Sequence, residues 1–464
     1  MRIETRLDGE VTADVIVVGG GIAGLVTVHE LARRGITDVV LLEARDRLGG
    51  CVEGVTRENG RLLQRGAEFT GAFQHALMRV IDHLGLEVEK LPRVEGDLVR
   101  VENGQRHVEA WPFASDDETG AAYGGLYEKL GEMVGQISVA EPWNAPSAAE
   151  WDAITFEDWL VRECDIPAAR EAVALDLGYD THEVSLLSIV WWIAKYGSIQ
   201  GMDEFDSRVV TGMSSVVDGL VAASENVAYL NSPVTAVAQD ADGVTVSTAS
   251  GTVRASSVVL AFDPGMAGRI AFTPELPAQR AALIRQWGGF HDCKAYFVYD
   301  RPFWREQGLN GTLRGQSVVE FGMDVSPTDA SEGVLCMRRP LTPGRWERVA
   351  PEGGPAFDDL VGDADAFFAV AIEQMVEYLG EEGRNVREFH YFEWEGDEWS
   401  QTCGLNRLAP GVLTSAGPAL FENVGRIIFA GAQHGFEDTL SGAAESGELA
   451  AAAAERLLSV TEEV

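Results

Sequence analysis

The chain has 464 residues, 46% of them hydrophobic and 23% charged, with 73 acidic against 36 basic side chains and a formal net charge of −37. The composition is that of an ordinary globular protein, and the length exceeds what one simple core fills, so two interleaved domains are expected. With no basic footprint to neutralise phosphates, nucleic acid is not expected as a partner; the acidic surface either steers cations towards a cleft or serves solubility.

Five scattered cysteines (Cys51, Cys164, Cys293, Cys336, Cys403) form no CxxC pair, and the eight histidines show no HExxH or facial-triad spacing. Neither a disulfide framework nor a metal site is expected, and a reducing cytoplasm fits. The start, "MRIETRLDGEVTADVIVVGG", carries charges where a signal peptide needs an apolar core. The longest apolar stretch, "SLLSIVWWIA" (185–194), is half a membrane span. A soluble, cytoplasmic protein without a membrane partner is expected.

In chain order, "DVIVVG" (14–19) is a continuous apolar run, as in a parallel strand covered on both faces. "GGGIAG" follows, then a helix in which Leu25, Val28 and Leu31 recur at helical spacing before Gly35. "DVVLLE" (38–43) is a second strand, completing β-α-β. "QHALMRVIDHLGL" (74–86) reads as a helix and 92–200 as mostly helical. Residues 219–262 give a helix end and several short strands, with turns at Asp242-Gly243 and Ser250-Gly251. In "HDCKAYFVYDRPFW" (291–304), Ala295, Phe297 and Tyr299 point one way, and Lys294, Tyr296 and Val298 the other. A loop-rich stretch to 360, a helix over 363–380, and the tail "GRIIFAG" with an alanine-rich helix complete the chain. Strand-loop-helix units at both ends point to one shared sheet.

Gly19-x-Gly21-x-x-Gly24 sits between strand and helix, the context that gives a glycine motif meaning. Gly19 permits the tight turn, Gly21 lets backbone approach a pyrophosphate, and Gly24 lets helix pack on strand. The helix N-terminus favours the phosphates. Glu43 ends the second strand and can accept two hydrogen bonds from a ribose diol, which disfavours a 2′-phosphate and hence NADP.

The run "VIVVGGGIAGL…LLEARDRLGG" resembles the flavin-containing amine oxidases, and similarity recurs along almost the whole chain: "RGAEFTGAFQ" (65–74), "EVSLLSIVWWIAKYGS" (183–198), "SPVTAV" (232–237) and "RIIFAG…SGAAESGELAA" (426–451). The resemblance implies FAD, held by Ala23, Ala44, Arg45, Gly49, Gly50 and Cys51 beside the glycine turn, with Ala67, Glu68 and Phe69 passing the flavin ring, Val234 at the adenine, and Gly431 and Leu440 in the closing motif. It also implies the fold: a Rossmann-like FAD-binding domain (1–90, 208–270, 395–464) of α/β class, interleaved with an α+β substrate domain (91–207, 271–394) carrying a mixed sheet. Pro302-Phe303-Trp304 follow Lys294 at the spacing seen in monoamine oxidases, which places Lys294 at the isoalloxazine as the catalytic residue, with a water-bridged or neutral amine. Ser400, Cys403, Pro410 and Gly411 fall in the frame of the flavin-linked cysteine segment, so Cys403 can form an 8α-thioether or stay a free thiol. Trp394 matches a tryptophan of the flavin cavity.

Three departures set this chain apart. The two tyrosine positions facing the flavin are Gly404 and Thr439, which implies a roomier, more polar pocket, with Trp399, Phe436 or Tyr196 as alternative rings. Cys51 replaces an arginine that reaches the pyrophosphate, leaving Arg45 to that task. Glu68 stands where a small or amide residue is common, and it either binds a cationic substrate or is a backbone neighbour of the flavin. The expected reaction is hydride transfer from an amine α-carbon to flavin N5, giving an imine, then hydrogen peroxide from dioxygen. The backbone N–H groups opening the final helix would stabilise the negative charge on the reduced flavin. An L-amino-acid oxidase, with Arg208 or Arg57 for the carboxylate, a C–C desaturase and a non-catalytic flavoprotein are the alternatives. The sequence leaves the amine and the oligomeric state open, a homodimer included.

Overall fold

The four residues Val15–Val18 are buried along their whole length because they occupy the middle of a parallel sheet covered on both faces. The computed structural model describes all residues except 93, 103, 111–117, 178–180, 198–204, 289–291, 316, 341–345, 349, 351–352, 395–396, 401–407, 436–438 and 463–464. It orders six parallel strands as Arg2–Glu4, Val227–Tyr229, Val39–Leu42, Val15–Val18, Ser257–Ala261 and Ile427–Ala430, so N- and C-terminal segments share one sheet. Alternate side chains leave opposite faces. Val15, Val17, Leu41, Val259 and Ile428 pack with the helices Ile22–Arg33 and Leu440–Glu462. Ile16, Val18, Leu42, Val258 and Leu260 meet Val237, Val246 and Val253 of a five-stranded sheet. Each aliphatic side chain buried this way contributes roughly 1.5–3 kcal/mol, which is why the run has no polar alternation to read.

A seven-stranded mixed sheet forms the second body, in the order Gln105–Glu109, Asp97–Glu102, Leu309–Gly315, Phe321–Asp324, Gly333–Pro340, Asp292–Tyr299 and Glu388–Glu393. The Lys294 strand divides its side chains as the alternation requires. Cys293, Ala295, Phe297 and Tyr299 pack with Phe367 and Met375 of the Ala364–Leu379 helix. Tyr296 and Val298 lie on the other face with Leu63, Val334 and Cys336. A third core joins the helices Glu118–Val134, Phe156–Glu163, Pro167–Leu177 and Leu186–Lys195 through Trp151, Trp159 and Trp191. Among the described residues no helix is long and apolar enough to cross a membrane.

Two stretches differ from the sequence reading. The span expected as loop after Tyr299 holds three strands, and 92–200 contains the hairpin Asp97–Glu102 and Gln105–Glu109. In Leu309–Gly315 two of the inward positions are glycines, which erases the apolar alternation. Both are forced by packing: a Cβ on Gly315 would meet the Tyr378 hydroxyl at 2.0 Å, and one on Gly311 would meet Asp324 Cβ at 2.6 Å.

Behind the closing strand, His434 is buried with Nδ1 2.7 Å from the Leu420 carbonyl. Burial, and then the Arg280 guanidinium, push it down to about 3. The fold therefore refuses a proton that the unfolded chain accepts below about pH 6.5. Acidification from about pH 6.5 to about pH 4.5 is expected to remove about 2.5 kcal/mol through this one residue. Denaturant unfolding across that range checks this, and His434→Phe is expected to flatten the slope by that amount.

Candidate active site

The glycine turn is set by backbone contact. Gly19 sits at a φ of 103°, and a Cβ there would stand 2.5 Å from the Ala261 carbonyl oxygen. A Cβ on Gly24 would stand 1.9 Å from the Gly19 oxygen, so the helix can approach the strand only without a side chain, and Ala23 is buried alongside. Gly21 differs: a Cβ there meets nothing nearer than Gly50 Cα at 3.9 Å, which leaves the helix N-terminus open. Gly49 and Gly50 both take positive φ, and the Gly49 N–H donates to the Gly20 carbonyl at 2.8 Å, tying the second glycine pair to the first.

Glu43, 4% exposed, accepts from Gly20 N–H at 2.6 Å and from Arg45 N–H at 2.8 Å. Burial raises its carboxyl above the usual range, while the two backbone donors and Arg45 oppose that rise. Ala44 follows, half-buried. The backbone N–H groups of Asn231 and Ser232 donate to the Arg45 and Glu43 carbonyls, which brings half-buried Val234 to this end of the sheet. Arg45 donates through Nη2 to Asp397 and Ser400, and Ser400 Oγ lies 3.8 Å from Cys51 Sγ. The sequence reading passed over Arg47, which donates to the Gly50 carbonyl at 3.0 Å and pairs with Glu53 at 2.7 Å.

These residues fit a dinucleotide. Arg45 Nε is buried without a hydrogen-bond partner, and the helix N-terminus at Gly21 is open, with Gly50 Cα 3.9 Å from where a Cβ would stand. Glu43 retains lone pairs beyond the two N–H donors it serves, so a hydroxylated ribose can share its carboxylate.

From Cys51 the site continues to the lysine. Ala67 N–H donates to the Cys51 carbonyl at 3.2 Å, and a Cβ on Gly66 would stand 2.0 Å from that same oxygen. Trp394, almost fully buried, donates from Nε1 to the Arg65 carbonyl at 3.2 Å. Lys294, 5% exposed, donates to the Gly66 carbonyl at 3.1 Å and to Glu68 Oε2 at 2.5 Å. Phe69 and Tyr296 flank the ammonium at 5.3 and 5.2 Å. The Tyr296 hydroxyl lies 2.7 Å from the same Glu68 oxygen and 2.9 Å from the Gln64 carbonyl; burial, and then the Glu68 charge, hold it well above the ordinary tyrosine range, so it stays a donor. Burial likewise pushes the neighbouring Cys336 thiol up to about 12.

Two expectations change here. Lys294 is neither a strand-end charge reaching solvent nor an amine without a protein partner: it is one half of a buried ion pair. Glu68 is more than a backbone neighbour, because its Oε2 accepts from both Lys294 and Tyr296. Sequence reasoning missed Tyr296 as a site member, although its position two residues after Lys294 put both on one strand face.

The remaining candidates divide. Tyr196 caps the Leu186–Lys195 helix and joins a ring cluster with Phe73 at 6.1 Å, Phe205 at 6.2 Å and Trp192 at 5.4 Å. Thr439 Oγ1 accepts from Gln74 Nε2 at 2.9 Å and from Ser441 N–H at 3.2 Å, just ahead of the helix that Leu440 opens. Gly431 N–H donates to Ser446 Oγ of that helix at 3.0 Å. Trp399 packs beneath Arg269 at 5.4 Å, and its backbone N–H donates to Asp397, which joins it to the Arg45 group instead of the Tyr196 cluster. Arg57 is bound to Glu332 and Glu388, and Arg208 donates from Nε to Glu89 at 2.7 Å, so each guanidinium already has a carboxylate partner within the protein. Cys403, Gly404 and Phe436 lie outside the described residues.

A family model described as flavin containing amine oxidoreductase matches residues 22–454. The chain belongs to that family. As a flavin-containing amine oxidoreductase it is an enzyme that oxidises amines, and the expectation drawn from its motifs is met. Putrescine oxidase of Kocuria rosea is 30% identical over 95% of this chain and 94% of its own length. L-amino acid dehydrogenase of Synechocystis sp. is 28% identical over 95% and 94%. The solved structure of cyclohexylamine oxidase from Brevibacterium oxydans superposes with a TM-score of 0.86 at 25% identity, covering 96% of this chain and 99% of that one. Relatives this similar act on chemically different amines, so overall likeness settles the fold and reaction class, and the pocket must settle the substrate.

Proposed function

We propose that this flavin-containing amine oxidoreductase binds FAD along the path from Gly21 and Glu43 through Arg45 to Lys294, and oxidises a polar, cyclic or heterocyclic amine with dioxygen as acceptor. The flavin, when bound, supplies the two-electron acceptor for the amine's α-carbon hydrogen and passes those electrons to dioxygen as hydrogen peroxide. The observation that carries the reading is the buried Lys294 ammonium, which shares the Gly66–Glu68 segment with the hydrogen-bond chain leading back to the glycine turn. Glu43 would hold the adenine ribose, Arg45 and the N-terminus of the Ile22–Arg33 helix the pyrophosphate, and Val234 the adenine side. Lys294 would place one N–H at the reacting edge, and Trp394 and Phe69 would exclude water around it.

The body formed by 1–90, 208–270 and 395–464 would bind the cofactor, and 91–207 with 271–394 the substrate. The parallel sheet draws its strands from the first set and the mixed sheet from the second. One strand, Ala271–Thr273, pairs with Ala236–Ala238 and carries the first body just past residue 270. Cys403 would offer its thiol to the flavin 8α-carbon; acid precipitation leaves the colour in the pellet if that bond exists and in the supernatant if it does not.

Tyr196 and Phe73 would supply ring contacts, and Gly404 and Thr439 room and a hydroxyl. Peroxide release should therefore be faster with heterocyclic, saturated cyclic or hydroxylated amines than with unbranched aliphatic or benzylic amines, and absent with L-amino acids, since Glu332, Glu388 and Glu89 already compete for the Arg57 and Arg208 guanidinium groups. A preference for short aliphatic or benzylic amines in a kinetic comparison would overturn the substrate assignment.

A further inference from the structure

We infer that Glu68 is the positioning residue of Lys294: its carboxylate, steadied by the Tyr296 phenol, sets the direction in which the amine points. The inference rests on the reading of Lys294 as the residue at the flavin. An ammonium has three N–H donors. Two are spent inside the protein, on Glu68 Oε2 at 2.5 Å and the Gly66 carbonyl at 3.1 Å, so one remains and its direction is fixed. The two side chains are 6% and 11% exposed, so bulk solvent has little access to the pair. Tyr296, 1% exposed, shares its proton between Glu68 Oε2 and the Gln64 carbonyl, which stops the carboxylate from following the lysine if the lysine moves.

The surroundings make this anchor necessary. Glu68 and Tyr296 border a cavity of about 280 Å³ that is also lined by Gln64, Arg208 and Met213. The Gln64 side chain is 3% exposed, and neither its Nε2 nor its Oε1 has a hydrogen-bond partner in the protein. A polar chamber of this size admits ordered water. Without the Glu68 carboxylate the long lysine side chain would gain solvated alternatives on that side and lose its single orientation. The carboxylate also compensates the charge of Lys294, opposite which Arg338 stands on the neighbouring strand.

The test uses the flavin-loaded enzyme with Glu68→Ala, Glu68→Gln, Tyr296→Phe and Lys294→Met, alone and combined. Turnover is one readout. The second is the rate at which limiting acetic anhydride acetylates Lys294, read by peptide mass analysis against Lys90, whose side chain is 79% exposed. Glu68→Ala is expected to lower kcat about 30-fold with KM held within about 3-fold, and Tyr296→Phe to lower kcat about 3-fold. Lys294 acetylation relative to Lys90 should rise about 5-fold or more in Glu68→Ala, and adding Glu68→Ala to Lys294→Met should cost less than about 2-fold further. An unchanged acetylation ratio, or a loss that adds in full to that of Lys294→Met, would overturn the inference. If Glu68→Ala fails to fold, Glu68→Gln, which keeps the shape and removes the charge, is judged by the same two readouts. Should Lys294→Met leave amine oxidation untouched, the reading of Lys294 fails, and the acetylation ratio alone decides whether Glu68 positions it.

Discussion

Replacing Lys294 by methionine is expected to lower kcat/KM for amine oxidation by about 100-fold or more, ~3 kcal/mol of transition-state stabilisation. Methionine approximates the volume and apolar stem of lysine, so the loss isolates the ammonium. It will not be the only effect. Lys294 and Glu68 form a buried pair at 2.5 Å, and removing one partner strands the other charge. Breaking such a pair costs about 3–5 kcal/mol of stability, because the remaining ion keeps its desolvation penalty without its counter-charge. Lys294→Met should therefore unfold well below the wild type in a thermal melt. Combining it with Glu68→Gln should recover most of that stability and none of the activity. A recovery of both would mean that the lysine serves the fold alone.

Gly24→Ala is expected to give a protein that either fails to accumulate or carries no flavin, at a folding cost of about 3 kcal/mol or more. The added Cβ would lie 1.9 Å from the Gly19 carbonyl oxygen, and that atom belongs to the turn, so neither side can give without opening the strand–helix junction. Gly21→Ala separates folding from binding. Its Cβ meets nothing within 3.4 Å, and its φ of −75° suits alanine, so stability should change by less than about 0.5 kcal/mol. The same methyl occupies the open approach to the helix N-terminus, and flavin retained through gel filtration should fall about tenfold or more, because backbone can no longer close on a phosphate. The ratio of flavin to protein absorbance and a denaturant melt read both variants side by side.

The first half of the site was legible because its chemistry is local. Gly19, Gly21, Gly24 and Glu43 lie within one β-α-β unit, and their roles follow from backbone geometry alone. The strand of Lys294 was equally legible in its two faces, since alternation needs no knowledge of what packs there. What lay across that strand was not. Glu68 is separated from Lys294 by 226 residues, and only the fold brings them together, so an unusual acid and a buried lysine stood as two separate oddities in the sequence. The Leu309–Gly315 strand was hidden for another reason: glycines at its buried positions leave space for Tyr378 and Asp324 and so carry no hydrophobic signal. Arg47 and Arg65 were passed over because a charged side chain that bonds backbone carbonyls or lies over Trp394 looks like any surface arginine.

The most direct measurement is the rate at which the flavin of the purified enzyme bleaches when mixed with an amine in the absence of oxygen, in the wild type and in Lys294→Met loaded to equal flavin content. Bleaching by amines and not by L-amino acids, colour restored by air, and a slowing of about 100-fold or more in the variant are predicted. If dithionite bleaches the flavin and no amine does, or if Lys294→Met bleaches as fast as the wild type, the account of this site is wrong.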